Sequence, residues 1–171
     1  VEGGGDLSVY LAPGQTAKVG GRLGLTQTEP AYSLKLSGDR AALWGVASSG
    51  FGGRSLTRGL ADTALCVAHS TPAADAAATA VANACMVNSP SVRQVPAETL
   101  RPDTDIAGLM VTESVGDLTE NEIGLAVEAA QDYAESLVTR NVISGALIAL
   151  RGKLAVTRDF SVRVADLVPI V

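Results

Sequence analysis

Aromatic side chains are nearly missing from this chain: Phe, Trp and Tyr make up 4% of its 171 residues. A core without large rings has to be built from Ala, Val, Leu and Ile, and from close backbone approaches at its 18 Gly. Histidine is rarer still. His69 stands alone, between a strand pattern and a helix start, and no Gly-x-Ser-x-Gly elbow accompanies it. A nucleophilic triad is therefore not expected, and His69 reads as a satisfied junction residue. The two cysteines, Cys66 and Cys85, match no metal-binding spacing, and each lies in an apolar run. They read as buried free thiols, with a disulfide as the lesser reading.

Positive charge is also short. The net charge is −5 and the pI about 4.8, and no basic block offers phosphates a counter-charge, which excludes a nucleic-acid partner. The loose group Arg22, Arg40, Arg54 and Arg58 still leaves room for a small anionic ligand. No run is long and apolar enough to span a membrane, and no signal peptide is visible, so no membrane partner and a cytoplasmic location are expected. An initial Met is missing too. The chain opens Val1-Glu2-Gly3-Gly4-Gly5-Asp6 and enters a strand pattern at Leu7. That start reads as the interior of a protein: a fragment, a processed product or one half of a split protein.

What the chain does have is a large apolar fraction, 47% hydrophobic against 18% charged, which suits one domain over 1–171 with a real core. Leu7, Val9 and Leu11 alternate with polar residues as a half-buried strand, and Pro13-Gly14 ends it. Val19 to Leu25 is glycine-rich and reads as a bent strand or a loop. Ala41 to Ala47 and Ala61 to Ala68 read as strands. Ser70 or Thr71 caps a helix with Pro72 at its first position, running to about Met86. The polar stretch 88–105, with Pro90, Pro96 and Pro102, reads as a connector and a possible internal boundary. Leu109 to Glu113 reads as a strand. Thr119 and Glu122 form a capping box. The helix after it places Ile123, Ala126, Val127, Ala130, Ala134, Leu137 and Val138 on one face and ends near Arg140. Val142 to Leu150, a tight turn at Arg151-Gly152 and Lys153 to Thr157 make a hairpin, and Val162, Val164 and Leu167 continue a β pattern. The class is α+β, with mainly antiparallel sheets and two principal helices.

Two places could carry chemistry. Ser48-Ser49-Gly50-Phe51-Gly52-Gly53-Arg54-Ser55 is a loop of three glycines and three hydroxyls. It can present backbone N–H groups and serine oxygens to an anion, with Arg54 or Arg58 supplying charge. It lacks the Lys of a Walker motif, and it can equally be a plain strand connection. Asp75, Thr79 and Asn83 recur every four residues on one helix face. A carboxylate one turn before a hydroxyl can hold a hard divalent ion. The other reading is a helix-start carboxylate favoured by the dipole, with Thr79 bonding back to the preceding turn. On the residues alone this second reading carries more weight. Glu2 and Asp6 flank a glycine turn that either approaches a ligand or only makes a turn. Asp103, Asp105 and Asp117 read as solvated loop residues.

Read in order, several of these segments resemble one family. Glu2-Gly3-Gly4-Gly5-Asp6-Leu7 resembles the Gly-Gly-Asp-Ile turn of the flavin-transferase (ApbE) superfamily. Ala47-Ser48-Ser49-Gly50 with Gly53-Arg54-Ser55, then Gly59 and Ala61-Asp62, resembles the Thr-Ser-Ser-Gly loop of its UPF0280 branch. Ala74-Asp75-Ala76-Ala77-Ala78-Thr79-Ala80 resembles the superfamily's metal-site helix. Pro102-Asp103-Thr104-Asp105, Val111-Thr112 and the stretch from Gly145 to Gly152 also fit the branch. The resemblance implies an ApbE/T-fold-like architecture of which this chain is the C-terminal portion. It implies Asp75 and Thr79 as Mg²⁺ ligands beside FAD or FMN, and it raises the metal reading level with the plain one. The transferases' His-x-x-Asp-Pro-x-Thr-Gly segment has no counterpart here, so the likeness speaks to fold more than to activity.

The leading expectation is a UPF0280-type protein that binds a flavin nucleotide or another anionic small molecule. Asp6, Ser48, Ser49, Gly50, Arg54 and Ser55 would hold the ligand, and Asp75 and Thr79 the metal, for Mg-assisted group transfer. Two alternatives remain open at this point. One is a hydrolase on a small polar substrate, made as a processed or two-chain enzyme. The other is a non-catalytic assembly protein, whose missing N-terminal half or partner chain leaves apolar faces that drive homo-oligomer formation.

Overall fold

The computed structural model describes residues 2–3, 6–24, 28–164 and 166–169. In chain order its elements are β1 (Glu2–Gly3), β2 (Asp6–Tyr10), β3 (Thr16–Gly21), β4 (Tyr32–Ser37), β5 (Leu43–Ser49), β6 (Thr63–Ala68), α1 (Thr71–Ala84), β7 (Val92–Pro96), α2 (Ala97–Leu100), β8 (Met110–Val115), α3 (Glu120–Thr139), β9 (Gly145–Leu150), β10 (Lys153–Val156), α4 (Phe160–Arg163) and β11 (Asp166–Pro169). This is α+β with antiparallel sheets and two substantial helices, α1 and α3.

A six-stranded sheet in the order β1-β2-β5-β6-β9-β10 is the centre of the molecule, and each of its ladders is antiparallel. Both faces are covered. In β6 all six residues are buried. Ala64, Cys66 and Ala68 point toward α1 and α3, and Leu65 and Val67 toward the three-stranded sheet β11-β4-β3. Period-2 alternation thus splits one apolar run between two cores.

The helix-side core is made of small residues. Ala47, Ala64, Ala68 and Ala146 of the sheet meet Ala74, Ala77, Ala78 and Ala82 of α1 and Ala126, Ala130 and Ala134 of α3. With so little side-chain volume between them, backbones come close. A Cβ on Gly45 of β5 would lie 2.5 Å from Thr71 Cα, and one on Gly59 would lie 1.8 Å from the Ala82 carbonyl oxygen. The other core is the bulkier one, with Trp44, Val46, Leu65, Val67 and Leu147 against Tyr32, Leu34 and Leu36.

Helix α3 agrees with its sequence pattern in full: the seven residues expected on its apolar face are the seven that are buried. The capping box is formed in both directions. Thr119 Oγ1 accepts from Glu122 N–H, and Glu122 Oε2 accepts from Thr119 N–H at 2.7 Å. Thr119→Ala is expected to cost about 1 kcal/mol, which lowers Tm by about 2–4 °C; thermal unfolding followed by circular dichroism checks this.

Several elements differ from the sequence reading. Ser70 occupies the N-cap position of α1 in extended conformation but makes no side-chain cap bond, and the helix stops at Ala84 because Cys85, whose N–H still bonds the carbonyls of Val81 and Ala82, leaves the helical region at ψ 80°. The stretch 88–105 is not a connector. It holds β7 and α2, and β7 pairs with β8 through a register shift between Arg93 and Gln94. Prolines at the ends of β7 concealed a five-residue strand. Val162 lies in the helical turn α4 rather than in a strand. Phe160 and Val164, four residues apart, both enter the core, which is helical rather than extended spacing. Of the glycine segment 19–25, residues 19–21 end β3; Leu25 lies outside the described residues, as do Val1 and residues 4 and 5 of the Gly-Gly-Asp turn. Among the described residues no helix is long and apolar enough to cross a membrane.

Candidate functional site

A cavity of about 770 Å³ opens between the ends of β2, β5 and β6, the strand β3 and the side of α1. It is within the usual size of small-molecule sites. All eight residues singled out from the sequence line it: Asp6, Ser48, Ser49, Gly50, Arg54, Ser55, Asp75 and Thr79. They come from β2, the end of β5, the loop after it and α1.

The placement of Asp75 follows from the packing. Because Gly45 has no side chain, the first turn of α1 rests directly on β5. Thr71 Oγ1 then reaches the Leu7 carbonyl of β2 at 3.4 Å. Asp75 is one turn further along the same helix face, which brings it to Asp6, the residue before Leu7. The two carboxylates sense each other: the Asp6 pKa is raised above its ordinary 3.8, first by partial burial and then by the charge of Asp75, while Arg54 pulls it down. Two acids and one guanidinium therefore share a small volume.

The plain helix-start reading of this face does not match the geometry. The first turn of α1 holds no acidic residue. Asp75 is its fifth residue, beyond the reach of the strongest part of the dipole. Among the described residues the Thr79 hydroxyl does not bond back to the preceding turn, whereas Thr139 Oγ1 of α3 does, donating to the Glu135 carbonyl at 2.9 Å. Asn83, on the same face by spacing, is elsewhere. Its Oδ1 accepts from Thr57 Oγ1 at 3.0 Å and from Arg58 N–H at 2.8 Å, pinning the 57–59 segment to α1.

The loop after β5 is held tightly. Phe51 N–H donates to the Ala61 carbonyl at 2.7 Å, and Gly53 N–H to the Gly50 carbonyl at 3.3 Å. A Cβ on Gly50 would come within 2.6 Å of the Asp62 carbonyl oxygen. The loop folds back so that Arg54 and Ser55 face the cavity. Among the described residues the Arg54 and Ser55 N–H groups donate to nothing. Unspent backbone donors beside serine hydroxyls and a guanidinium suit an anion.

Three further polar groups line the cavity; the sequence placed Arg22 only in a loose arginine group and gave Lys18 and Asp62 no ligand role. Lys18 and Arg22, on and just after β3, add positive charge, and Asp62 adds negative charge. Asp62 Oδ2 also accepts from the Arg151 N–H at 2.5 Å, tying the β9–β10 turn to the rim. The floor is apolar, with Val9, Val46 and Leu65. The arrangement can receive a ligand with a flat apolar part and an anionic part.

A metal would need more than the protein's acids. Among the described residues no group of three or more His, Cys, Asp or Glu side chains is arranged to hold an ion. Mg²⁺ is commonly bound by one or two carboxylates, with phosphates and water filling the rest. Asp6, Asp75 and the Thr79 hydroxyl are a donor set of that kind.

His69 and the thiols stand outside the cavity. His69 lies 3.4 Å from both the Leu43 carbonyl and Ser144 Oγ, against the Trp44 ring at 5.3 Å. Cys66 and Cys85 are free and buried, each pushed up to about 12 by burial, with Asp62 adding to the rise at Cys85.

A search of the curated proteins and of the solved structures found no match. A family model described as AbpE bacteria matches residues 1–156, the whole span from the glycine turn through the β9–β10 hairpin. The chain belongs to the AbpE family of bacteria.

Proposed function

We propose that the cavity binds a flavin nucleotide, FAD or FMN, or another anionic small molecule of that shape, as a UPF0280-type relative of the flavin transferases would. The observation that carries this is the convergence of Asp6, Ser48, Ser49, Gly50, Arg54, Ser55, Asp75 and Thr79 on one cavity from separate segments. Arg54, Ser49 and Ser55 hold the phosphate end, helped by the free N–H groups of the loop. The apolar floor of Val9, Val46 and Leu65 accepts the ring. Asp75, Thr79 and Asp6 hold Mg²⁺. When bound, the ion neutralises phosphate charge and polarises a phosphoryl oxygen, the chemistry that group transfer at a diphosphate needs.

Titration calorimetry of the full chain with FAD and FMN, with and without Mg²⁺, tests the reading. Micromolar binding that strengthens with Mg²⁺ is expected. Arg54→Ala should weaken it about tenfold or more, the equivalent of one charge-assisted hydrogen bond. No heat with either nucleotide under both conditions would sink the proposal.

A further inference from the structure

The hairpin of β7 and β8, with α2 and the 101–109 loop between them, does not line the cavity, yet it grips the segment that does. Arg101 Nη2 donates to the Arg54 carbonyl. Thr112 N–H donates to the Thr57 carbonyl at 2.8 Å. Thr112 Oγ1 and Gln94 Nε2 both donate to the Arg58 carbonyl, at 3.0 and 2.8 Å. The donors come from the hairpin, and the acceptors are backbone carbonyls of the segment 54–58, whose first two residues, Arg54 and Ser55, line the cavity. On its other side the same segment is fixed to α1 by Asn83 and by the Leu60 N–H, which donates to the Cys85 carbonyl at 2.8 Å.

We infer that Arg101 and Thr112 are positioning residues for the anion-binding rim: the hairpin is a brace that holds Arg54 and Ser55 toward the cavity from outside it. The inference rests on the proposed anion site for its purpose, but not for its existence. The physical argument is one of preorganisation. Arg54 and Ser55 are exposed loop residues, and a loop that must order on binding loses affinity to that ordering. Bonds to carbonyls fix the backbone and leave the N–H groups and side chains of Arg54 and Ser55 unspent for a ligand. Thr112 is 4% exposed, so its two bonds are shielded from competing water. Arg101 is exposed but is a charged donor, which strengthens its bond. The β7–β8 pairing keeps Gln94 opposite Thr112, so both reach one carbonyl.

Hydrogen–deuterium exchange on the full chain without ligand reads the brace directly. Arg101→Ala is expected to speed exchange across residues 50–59 about tenfold, the size of one lost hydrogen bond of this kind. The amides of α3 should be unaffected and so report that the fold is intact. Arg101→Lys, which keeps a charged donor, should restore most of the protection, and Thr112→Val should loosen the same segment. Calorimetry with FMN and Mg²⁺ then reads the purpose. Arg101→Ala should weaken binding about tenfold alone, and add little to Arg54→Ala, because both act on one contact. Unchanged exchange over 50–59 in Arg101→Ala overturns the brace, whatever the flavin result. Loosened exchange with unchanged FMN affinity, or fully multiplying losses in the double variant, overturns its role at the site. A parent protein that binds no flavin, with 50–59 still loosened by Arg101→Ala, ends the proposed function and leaves the brace standing.

Discussion

Gly45→Ala is expected to lower Tm by about 6–12 °C, corresponding to about 3 kcal/mol. The new methyl would sit 2.5 Å from both the Cα and the N of Thr71 and 2.6 Å from the Ser70 carbonyl carbon. All three are backbone atoms, so no side chain can rotate away. Gly45 is locked from both sides by pairing with Ser8 of β2 and Ala68 of β6. Relief requires lifting the first turn of α1 off the sheet. That turn carries Ala74, which is fully buried, and lifting it opens the small-residue core along α1. The displacement also breaks the Thr71–Leu7 contact that brings Asp75 to Asp6. Gly45→Ala should therefore lose Mg²⁺-dependent ligand binding as well as stability. Thermal unfolding and calorimetry on the same preparation check both. A Tm within about 2 °C of the parent would mean that helix and sheet adjust freely, against the close-packed interior expected here.

That contact shows why some of the molecule is legible in its sequence and some is not. Helix α3 is written locally: a capping box, then apolar residues at helical spacing, each interpretable from its near neighbours. The Arg151-Gly152 turn is of the same kind, and both residues take positive φ, 49° and 83°. β4 is also locally written, since Tyr32, Leu34 and Leu36 are buried and Lys35 is exposed. The sequence before it obscured it, because the glycines of 20–24 and the polar stretch 26–30 precede it with turn-forming composition. β7 is hidden for a different reason. Its pairing with β8 and the carbonyls of 54–58 stabilise it, and none of these is near in sequence.

The cavity divides in the same way. The serine loop and the Asp75–Thr79 spacing are short-range patterns, so both were visible. That they meet depends on Gly45, on Thr71 and on the antiparallel order of β2 and β5. Lys18 carried no pattern of its own, Arg22 only that of a loose arginine group, and Asp62 only its place beside the serine loop. They meet at the cavity because β3 borders it and Asp62 directly precedes β6. The small-residue run of α1 has two consequences that sequence alone cannot separate. It lets the helix pack closely, and by packing closely it delivers an acid to the cavity.

Asp75→Asn separates these two roles, because it keeps the shape of the side chain and removes its charge. We expect the Mg²⁺-dependent part of FAD or FMN binding to fall about a hundredfold, the upper range for disturbing the shell of a bound ion, with the fold undisturbed. Stability should not fall, for electrostatic reasons. Asp6 has a folded pKa above its ordinary 3.8. The folded state therefore holds the Asp6 proton more tightly than the unfolded state does. The Asp6 contribution is most favourable below that ordinary value, and it is lost as pH rises through it and through the raised value. Above that range the fold bears the burial and the repulsion from Asp75 that raise the Asp6 value. Asp75→Asn removes the repulsive share, leaving the burial share that is its larger cause. Asp6→Asn removes both. Melting curves from about pH 3 to pH 7 should show the acid-side advantage shrinking in Asp75→Asn and disappearing in Asp6→Asn. If the paired carboxylates hold the proposed ion, Mg²⁺ should raise the Tm of the parent in the presence of nucleotide and leave that of either variant nearly unchanged. A variant more stable at neutral pH and weaker in metal-dependent binding is what a site held under mutual repulsion predicts. If Asp75→Asn keeps the parent's Mg²⁺ response, the ion is not at α1, and the cavity's acids serve the ligand's cationic or hydroxyl groups instead.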